Sequence, residues 1–468
     1  MNIIPNNYEK ILKNMIFNQI SSNLKNSLFK NNTNKVFNYI NLISNLDSSL
    51  CDIAKNSLVT IFETIDKSYS DSIERKHKYH IKAHSKRSIL TIFGEITFNR
   101  TFYSDKHNKG SYCYLDRFLG LKKYDYFDPY IKATVIEYSA NNSIPTVVNM
   151  INELIGNRIK LENKIKYINR QTIRNIILEA KISNPETKQL ETPNTLYIIA
   201  DEKWIHTQRN NNEDVMVKSI VTFDSINNKP RRNLNNKMIF ADYKKGLINN
   251  VLDYLYYTYD TDKIKNIYVM GDGAKWIKEL TNYFQFNNSC NVIYALDKFH
   301  FKQALHHIFL NKELEKIISN YIVNDDKKNF IKACASVIKS SPHREETIEK
   351  KKEYIINNWK NILNLYKYKL SCPMESQISH NLAYLLSSRP KGYSIKMLDK
   401  ILKIRLLFKN KYNIKKLFLN NFNHKEIQNY KNSILNFDIL DKYKQFIPIY
   451  KDKLFTPTIG QYYSSNTY

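Results

Sequence analysis

NIYVMGDGAKWIKEL, residues 266–280, decides how the chain is read. Residues 266–270 are a short, β-branched apolar run and predict a buried strand. The run stops at Gly271-Asp272-Gly273, and helical spacing follows over 274–283. A strand, a tight turn and a helix form the repeating unit of an α/β sheet, and the turn brings Asp272 to the sheet's rim. The turn lacks the third glycine of a dinucleotide loop and the Lys-Ser/Thr of a phosphate-cradling loop, so no nucleotide site is read there. The plainer alternative for Asp272 is a turn residue tolerating unusual backbone angles.

Working outward, residues 195–200 (TLYIIA) predict a strand ending at Asp201, and 215–223 and 237–241 predict two more. A helix is expected over 247–259, and residues 291–296 (NVIYAL) predict a fifth strand closing on Asp297. In a ribonuclease-H-like sheet the first and fourth of these strands are neighbours, which would set Asp201 opposite Asp272. Two carboxylates at that distance repel each other unless a cation lies between them. Oxygen ligands suit Mg²⁺ (or Mn²⁺), and two ions roughly 4 Å apart are expected for displacement at phosphorus. Asp201 has a plain alternative as a turn cap, and Glu202 competes with it for the role.

Residues 301–370 read as almost purely helical. Pro373 suits the first turn of a further helix over 373–386, with Glu375, Ile378, Leu382 and Leu385 on one stripe. An acid on a packing face is unusual without a partner, and a metal ion supplies one; favouring the helix dipole is the alternative for Glu375. Asp297 and His300 are three apart. A structural hydrogen bond between strand end and helix is their plainer reading, and a place near the scissile phosphate the sharper one.

Ahead of the sheet, residues 1–85 read as helical, with a basic run at 74–87 (ERKHKYHIKAHSKR) that is either a solvated helix face or a phosphate contact. Ile92, Ile96 and Phe98 alternate about a Gly-Glu turn and predict a hairpin within 88–104. Residues 143–155 and 169–180 pair as helices, either of helix-turn-helix type with Arg170 and Arg174 toward DNA or as ordinary packed helices. The polar, proline-bearing stretch 183–195 is a domain boundary. The expected divisions are 1–85 helical, 86–125 with the hairpin, 126–190 helical, 191–300 the first part of a catalytic core, 301–370 a helical insertion, 371–400 the final core helix, and 401–468 a basic helical tail.

Composition narrows the class. Lys and Arg number 72 against 44 Asp and Glu, a net charge of +28; codon bias toward Lys accounts for part of it, a polyanionic partner is the simplest physical reason for the rest, and a membrane surface is the competitor. No apolar run is long enough to span a bilayer, and the first residues lack a secretory h-region. The five cysteines are scattered, with no CxxC pair, which argues against a zinc ribbon or disulfide framework and fits a reducing cytoplasm.

Four segments together resemble insertion-sequence transposases of the ISLre type: LYIIADEKWIHTQ around 197–208, IYVMGDGAKWIKEL at 267–280, YALDKFHFKQAL at 294–305 and ESQISHNLAYLLSSRPKGYS at 375–394. LTIFGEITFNRTFY at 90–103 and YLDRFLGL at 114–121 resemble that family's N-terminal region. The resemblance implies an α/β ribonuclease-H-like core interrupted by a helical insertion, with a mainly helical N-terminal region and a basic tail. It implies a catalytic, metal-binding triad of Asp201, Asp272 and Glu375, with Asp297 and His300 as an accessory pair. Arg389 and Lys391, after the Glu375 helix, are expected DNA phosphate contacts. Lys203, Trp204 and Tyr393 depart from the family's usual wording and leave the triad untouched. The implied function is metal-dependent cleavage of DNA ends and strand transfer on double-stranded DNA, by a cytoplasmic protein that oligomerises on DNA. The alternatives are a ribonuclease-H-like nuclease without strand transfer, and an inactive DNA-binding remnant of a mobile element.

Overall fold

The computed structural model describes residues 17–18, 21–22, 39–106, 110–156, 168–208, 214–227, 233–371 and 392–420. The chain divides into two compact units. One holds residues up to Thr134 with Val148–Asn169 and the chain from Phe418 on, and the other Val135–Val147 with Arg170–Leu417.

The first unit carries α1 (Tyr39–Asp71), α2 (Ile73–Lys78), β1 (Tyr79–Thr91), β2 (Gly94–Asp105), β3 (Ser111–Cys113) and α3 (Tyr114–Phe118). The strands form an antiparallel sheet in the order β1-β2-β3. The hairpin is longer than the sequence suggests. β1 begins at Tyr79, so the second half of the basic run is strand rather than helix, because every residue of it from Tyr79 on except Lys82 is paired with β2. Gly94 closes the turn at a positive φ of 117°, a backbone state that suits glycine. Phe98 meets Phe62 of α1 edge to face at 5.2 Å, over a core of Ile89, Ile96, Cys113 and Leu115. α4 (Pro129–Ser139) and α5 (Ile144–Gly156) follow.

The second unit holds α6 (Arg170–Glu179), β4 (Thr195–His206), β5 (Asp214–Phe223), the small ribbon β6 (Ser225–Asn227) with β7 (Asn233–Asn235), and β8 (Met238–Asp242). Then come α7 (Leu247–Thr258), β9 (Asn266–Gly271), α8 (Lys275–Tyr283) and β10 (Asn291–Leu296). The five-stranded sheet runs β10-β9-β4-β5-β8. β4, β9 and β10 are parallel, and β5 is antiparallel to both of its neighbours. The parallel part follows from α7 and α8, which carry the chain back between strands.

Alternate residues of β4 serve opposite faces. Leu196, Ile198 and Ala200 pack with Val251 and Leu255 of α7 and with Ile277 and Leu280 of α8. On the odd positions Tyr197 stacks on Phe223 at 5.1 Å and on Tyr268 at 5.6 Å, and Tyr268 meets Tyr368 at 5.4 Å. Residues 298–367 are helical, as their spacing predicts: α9 (Lys298–Phe309), α10 (Lys312–Val323), α11 (Lys327–Ser340), α12 (Glu345–Asn357) and α13 (Trp359–Lys367). They share a core of Phe301, Ile322, Phe330, Ile355 and Trp359, with Leu296 of the sheet in the same cluster. α14 (Ile395–Lys409) lies against α6 and β8. Among the described residues, no helix is long and apolar enough to cross a membrane.

Candidate active site at the carboxyl edge of the sheet

β4 does not stop at Asp201. It continues to His206, paired with β5 throughout, because residues 202–206 keep a partner strand after their apolar character has gone. Asp201 is therefore held inside a strand, half-buried, with its Oδ1 accepting from the Glu202 backbone N–H at 2.7 Å. Glu202 goes elsewhere: its carboxylate accepts from the Trp276 indole of α8 at 2.8 Å. That contact lies on the face where α7 and α8 pack, so of the two neighbouring acids only Asp201 is left for the odd-numbered face.

The register aligns three aspartates. β4 and β9 pair with a constant offset, Thr195 with Asn266 and Ile199 with Met270. Two residues further on, that offset sets Asp201 level with Asp272. β10 and β9 pair up to Leu296 with Gly271, which sets Asp297 level with Asp272 one residue later. Neighbouring strands lie about 4.8 Å apart, so the three aspartates stand at level backbone positions, and the charges of Asp272 and Asp297 act on Asp201. Gly271 permits the approach: a Cβ there would stand 2.8 Å from the Ala200 carbonyl oxygen and 2.8 Å from Ile277.

Each aspartate has a distinct environment. Burial pushes Asp201 up to about 6; Asp272 and Asp297 push the same way, against the Glu202 amide and His300. Asp272 accepts from the Ala274 backbone N–H at 2.9 Å, fixing the turn. Asp297 is 1% exposed, and both of its oxygens are engaged: one accepts from the Phe299 backbone N–H at 3.2 Å, and the other meets His300 Nδ1 at 2.9 Å. Asp297 thus caps α9 and orients the imidazole. That hydrogen bond raises the His300 pKa against the effect of burial, and the charges of Asp297, Asp201 and Asp272 add to it. The structural hydrogen bond expected of this pair is present, and it holds the histidine within the field of the two other acids.

Two residues of the helical block support the turn and were missed in the sequence. The Tyr354 hydroxyl of α12 donates to the Asp272 carbonyl oxygen at 2.6 Å. The Asn358 side chain lies against Gly273, where a Cβ would come within 3.2 Å of it and where φ is +100°. No local signal marks either one, because they act across 82 and 85 positions of chain.

Glu375, Arg389 and Lys391 lie outside the described residues. Tyr393, just beyond them, bridges to Thr207 at the end of β4, and its carbonyl accepts from the Gln208 backbone N–H at 3.0 Å. Arg170 is exposed and Arg174 half-buried at the start of α6, whose Ile173, Ile176 and Ile177 are buried. Among the described residues no group of three or more His, Cys, Asp or Glu is arranged to hold a metal ion. Asp201 and Asp272 still have the chemistry of half a site for a hard cation: two carboxylates at level backbone positions, one of them destabilised as an anion by burial and by its neighbour.

Residues 32–420 match an uncharacterised protein family, UPF0236. Curated relatives carry the same family name. One from Caldanaerobacter subterraneus subsp. tengcongensis is 26% identical over 396 residues, covering 82% of this chain and 80% of its own. A second from that organism is 26% identical over 415 residues, covering 86% and 83%, and its name joins eleven numbered designations. A third, from Streptococcus gallolyticus, is 24% identical over 334 residues, covering 69% and 71%.

Proposed function

The chain belongs to the uncharacterised protein family UPF0236, and from its own residues we propose that it is a DDE-class transposase of the ISLre type with a ribonuclease-H-like core. The observation that carries this reading is the row of Asp201, Asp272 and Asp297 across three adjacent parallel strands, with His300 held against it. The first strand of the sheet beside the fourth, with the second alone reversed, supports the core assignment. A relative whose one name joins eleven designations supports mobility, since a self-moving element leaves one sequence at many places in a genome.

Asp201 and Asp272, with Glu375 as the expected third, are the residues that would hold Mg²⁺ or Mn²⁺, which supply charge neutralisation and an activated attacking oxygen. In nicking, a water oxygen bonds to phosphorus and the P–O3′ bond breaks, leaving a free 3′-hydroxyl. In joining, that 3′-oxygen bonds to a target phosphorus and displaces the target's own 3′-oxygen. Both steps depend on alignment and charge stabilisation. Asp297 orients His300 and raises its pKa, so the imidazole, when protonated, would offer a positive group to a phosphate oxygen. Tyr354 and Asn358 hold the turn that carries Asp272. The partner is double-stranded DNA, with Arg170, Arg174, Arg389 and Lys391 as phosphate contacts and a homo-oligomer assembled on the element ends.

The test is cleavage and joining of labelled element-end duplex in Mg²⁺ by the full chain and by Asp272→Ala. Removal of one metal carboxylate is expected to lower both steps about a thousandfold, several kcal/mol of barrier, with DNA affinity retained. Cleavage that survives Asp272→Ala overturns the site. Nicking without joining assigns a nuclease, and binding without either step assigns a remnant.

A further inference from the structure

We propose that the exposed edge strand β1 grips the sugar-phosphate backbone of duplex DNA. The identity of the polyanion rests on the transposase reading above; the location rests on how the ribbon itself is built.

β1 is the outer strand of the β1-β2-β3 sheet. Its residues 80–84 are all exposed, whichever face each side chain takes, and Lys86 is exposed as well. Over residues 75–86 the chain carries Arg75, Lys76, Lys78, Lys82 and Lys86, with His77, His80 and His84, and no acid. Lys106 joins them, its Nζ donating to the Lys76 carbonyl at 2.7 Å. Three acids stand nearby: Glu74 is paired with Lys78 at 3.3 Å, Asp105 faces Tyr79 across the ladder, and the buried Asp66 lies behind Thr101, which His84 meets at 3.1 Å.

Lysines on an edge strand have an ordinary role, which is to block pairing with another chain. One or two suffice for that. Here the positive charge starts on α2, crosses into the strand, and continues past the register shift between Ile81 and Ala83. At about 3.4 Å per residue, Lys82 and Lys86 stand roughly 13 Å apart along the ribbon. A duplex presents a negative charge about every 1.7 Å of its axis, so ammonium groups spaced this way each find a phosphate. Such contacts fix position on the duplex and carry no sequence preference.

The experiment measures binding of a labelled duplex of arbitrary sequence to the full chain by fluorescence anisotropy, over salt from about 0.05 to about 0.3 M. Lys82→Ala/Lys86→Ala is compared with wild type and with Lys316→Ala/Lys328→Ala, an exposed pair on α10 and α11. Each phosphate contact contributes about 0.9 to the slope of log affinity against log salt. Losing two is expected to flatten the slope by about 1.8 and to weaken binding about 60-fold at about 0.1 M salt, with the control pair near wild type. Equal losses from both pairs would mean that net charge alone matters, and would sink the ribbon while leaving the transposase reading standing. A wild-type chain that binds no duplex at low salt overturns both. Unchanged DNA affinity with an altered oligomeric state would assign the edge to a second copy of the chain.

Discussion

Asp201 and Glu202 are adjacent acids, and the sequence alone leaves them in competition. Strand alternation separates them: Glu202 is bound to the Trp276 indole, and Asp201 is left half-buried beside Asp272. The pKa of Asp201 gives a signed test. Its folded value of about 6 lies above the ordinary 3.8, so the folded protein holds this proton more tightly than the unfolded chain. Asp201 therefore costs no stability below about pH 4, costs progressively more between about pH 4 and 6, and reaches a plateau above. Asp201→Asn removes that cost. In EDTA at pH 7.5 the variant is expected to be more stable than wild type by about 1–2 kcal/mol, a two-unit shift discounted for partial solvent access. The gain should vanish near pH 4. Added Mg²⁺ should raise the Tm of wild type and leave the variant unmoved, by mass action on a site that the variant lacks. Urea melts at the two pH values check the sign, and a variant less stable at both would refute the assigned cause.

At the scale of elements, much of the second unit was legible because its strands are short apolar runs that end in turns. NIYVMGDG and NVIYALD carry their own boundaries, and β9, α8 and β10 lie within a residue of where spacing puts them. Elements whose ends are set by a partner were not legible. β4 runs five residues past Asp201 because β5 pairs with it, and β1 starts inside a run of lysines and histidines because β2 does. Tyr354 and Asn358 reach the site from α12 and the residue after it, and local pattern carries no information on that contact. Nor did composition reveal what locks the hairpin. Arg87 of β1 and Arg100 of β2 share the Asp116 carboxylate of α3, Arg87 at 2.9 Å and only 7% exposed. Arg87 also donates to the carbonyls of Lys122 and Asp125 at 2.6 and 2.9 Å. Deleting the anion leaves two guanidinium groups facing each other with little water. Asp116→Ala is expected to destabilise this unit by about 3–5 kcal/mol. Hydrogen exchange at the β1 and β2 amides is the readout that localises the effect. A loss below about 1 kcal/mol would put the triad on a par with a surface pair.

At the scale of the whole molecule the net charge of +28 sets a sign for the response to salt. Two electrostatic effects compete. Screening weakens favourable ion pairs and also relieves repulsion among the excess cations. The favourable side is thin, since pairs such as Lys350–Glu346, Lys263–Asp260 and Lys244–Asp399 are largely exposed. Each of those is worth about 0–1 kcal/mol, so screening them costs little. The buried Asp116 cluster is screened far less than surface charge. Repulsion extends over the whole surface and is strongest where like charge is dense, as on the β1 ribbon. Relief of repulsion should therefore win. The Tm of the DNA-free protein is expected to rise by about 1–2 °C as NaCl goes from about 0.02 to about 0.3 M, equivalent to roughly 1 kcal/mol for a chain of this size. A short duplex at low salt should raise it further, because bound phosphates neutralise the charge locally and bind only the folded form tightly. Thermal melts across a salt series, with and without duplex, separate the two contributions. A Tm that falls steadily with salt would show that attraction between paired charges outweighs the repulsion, and the excess of cations would then need no polyanion to balance it.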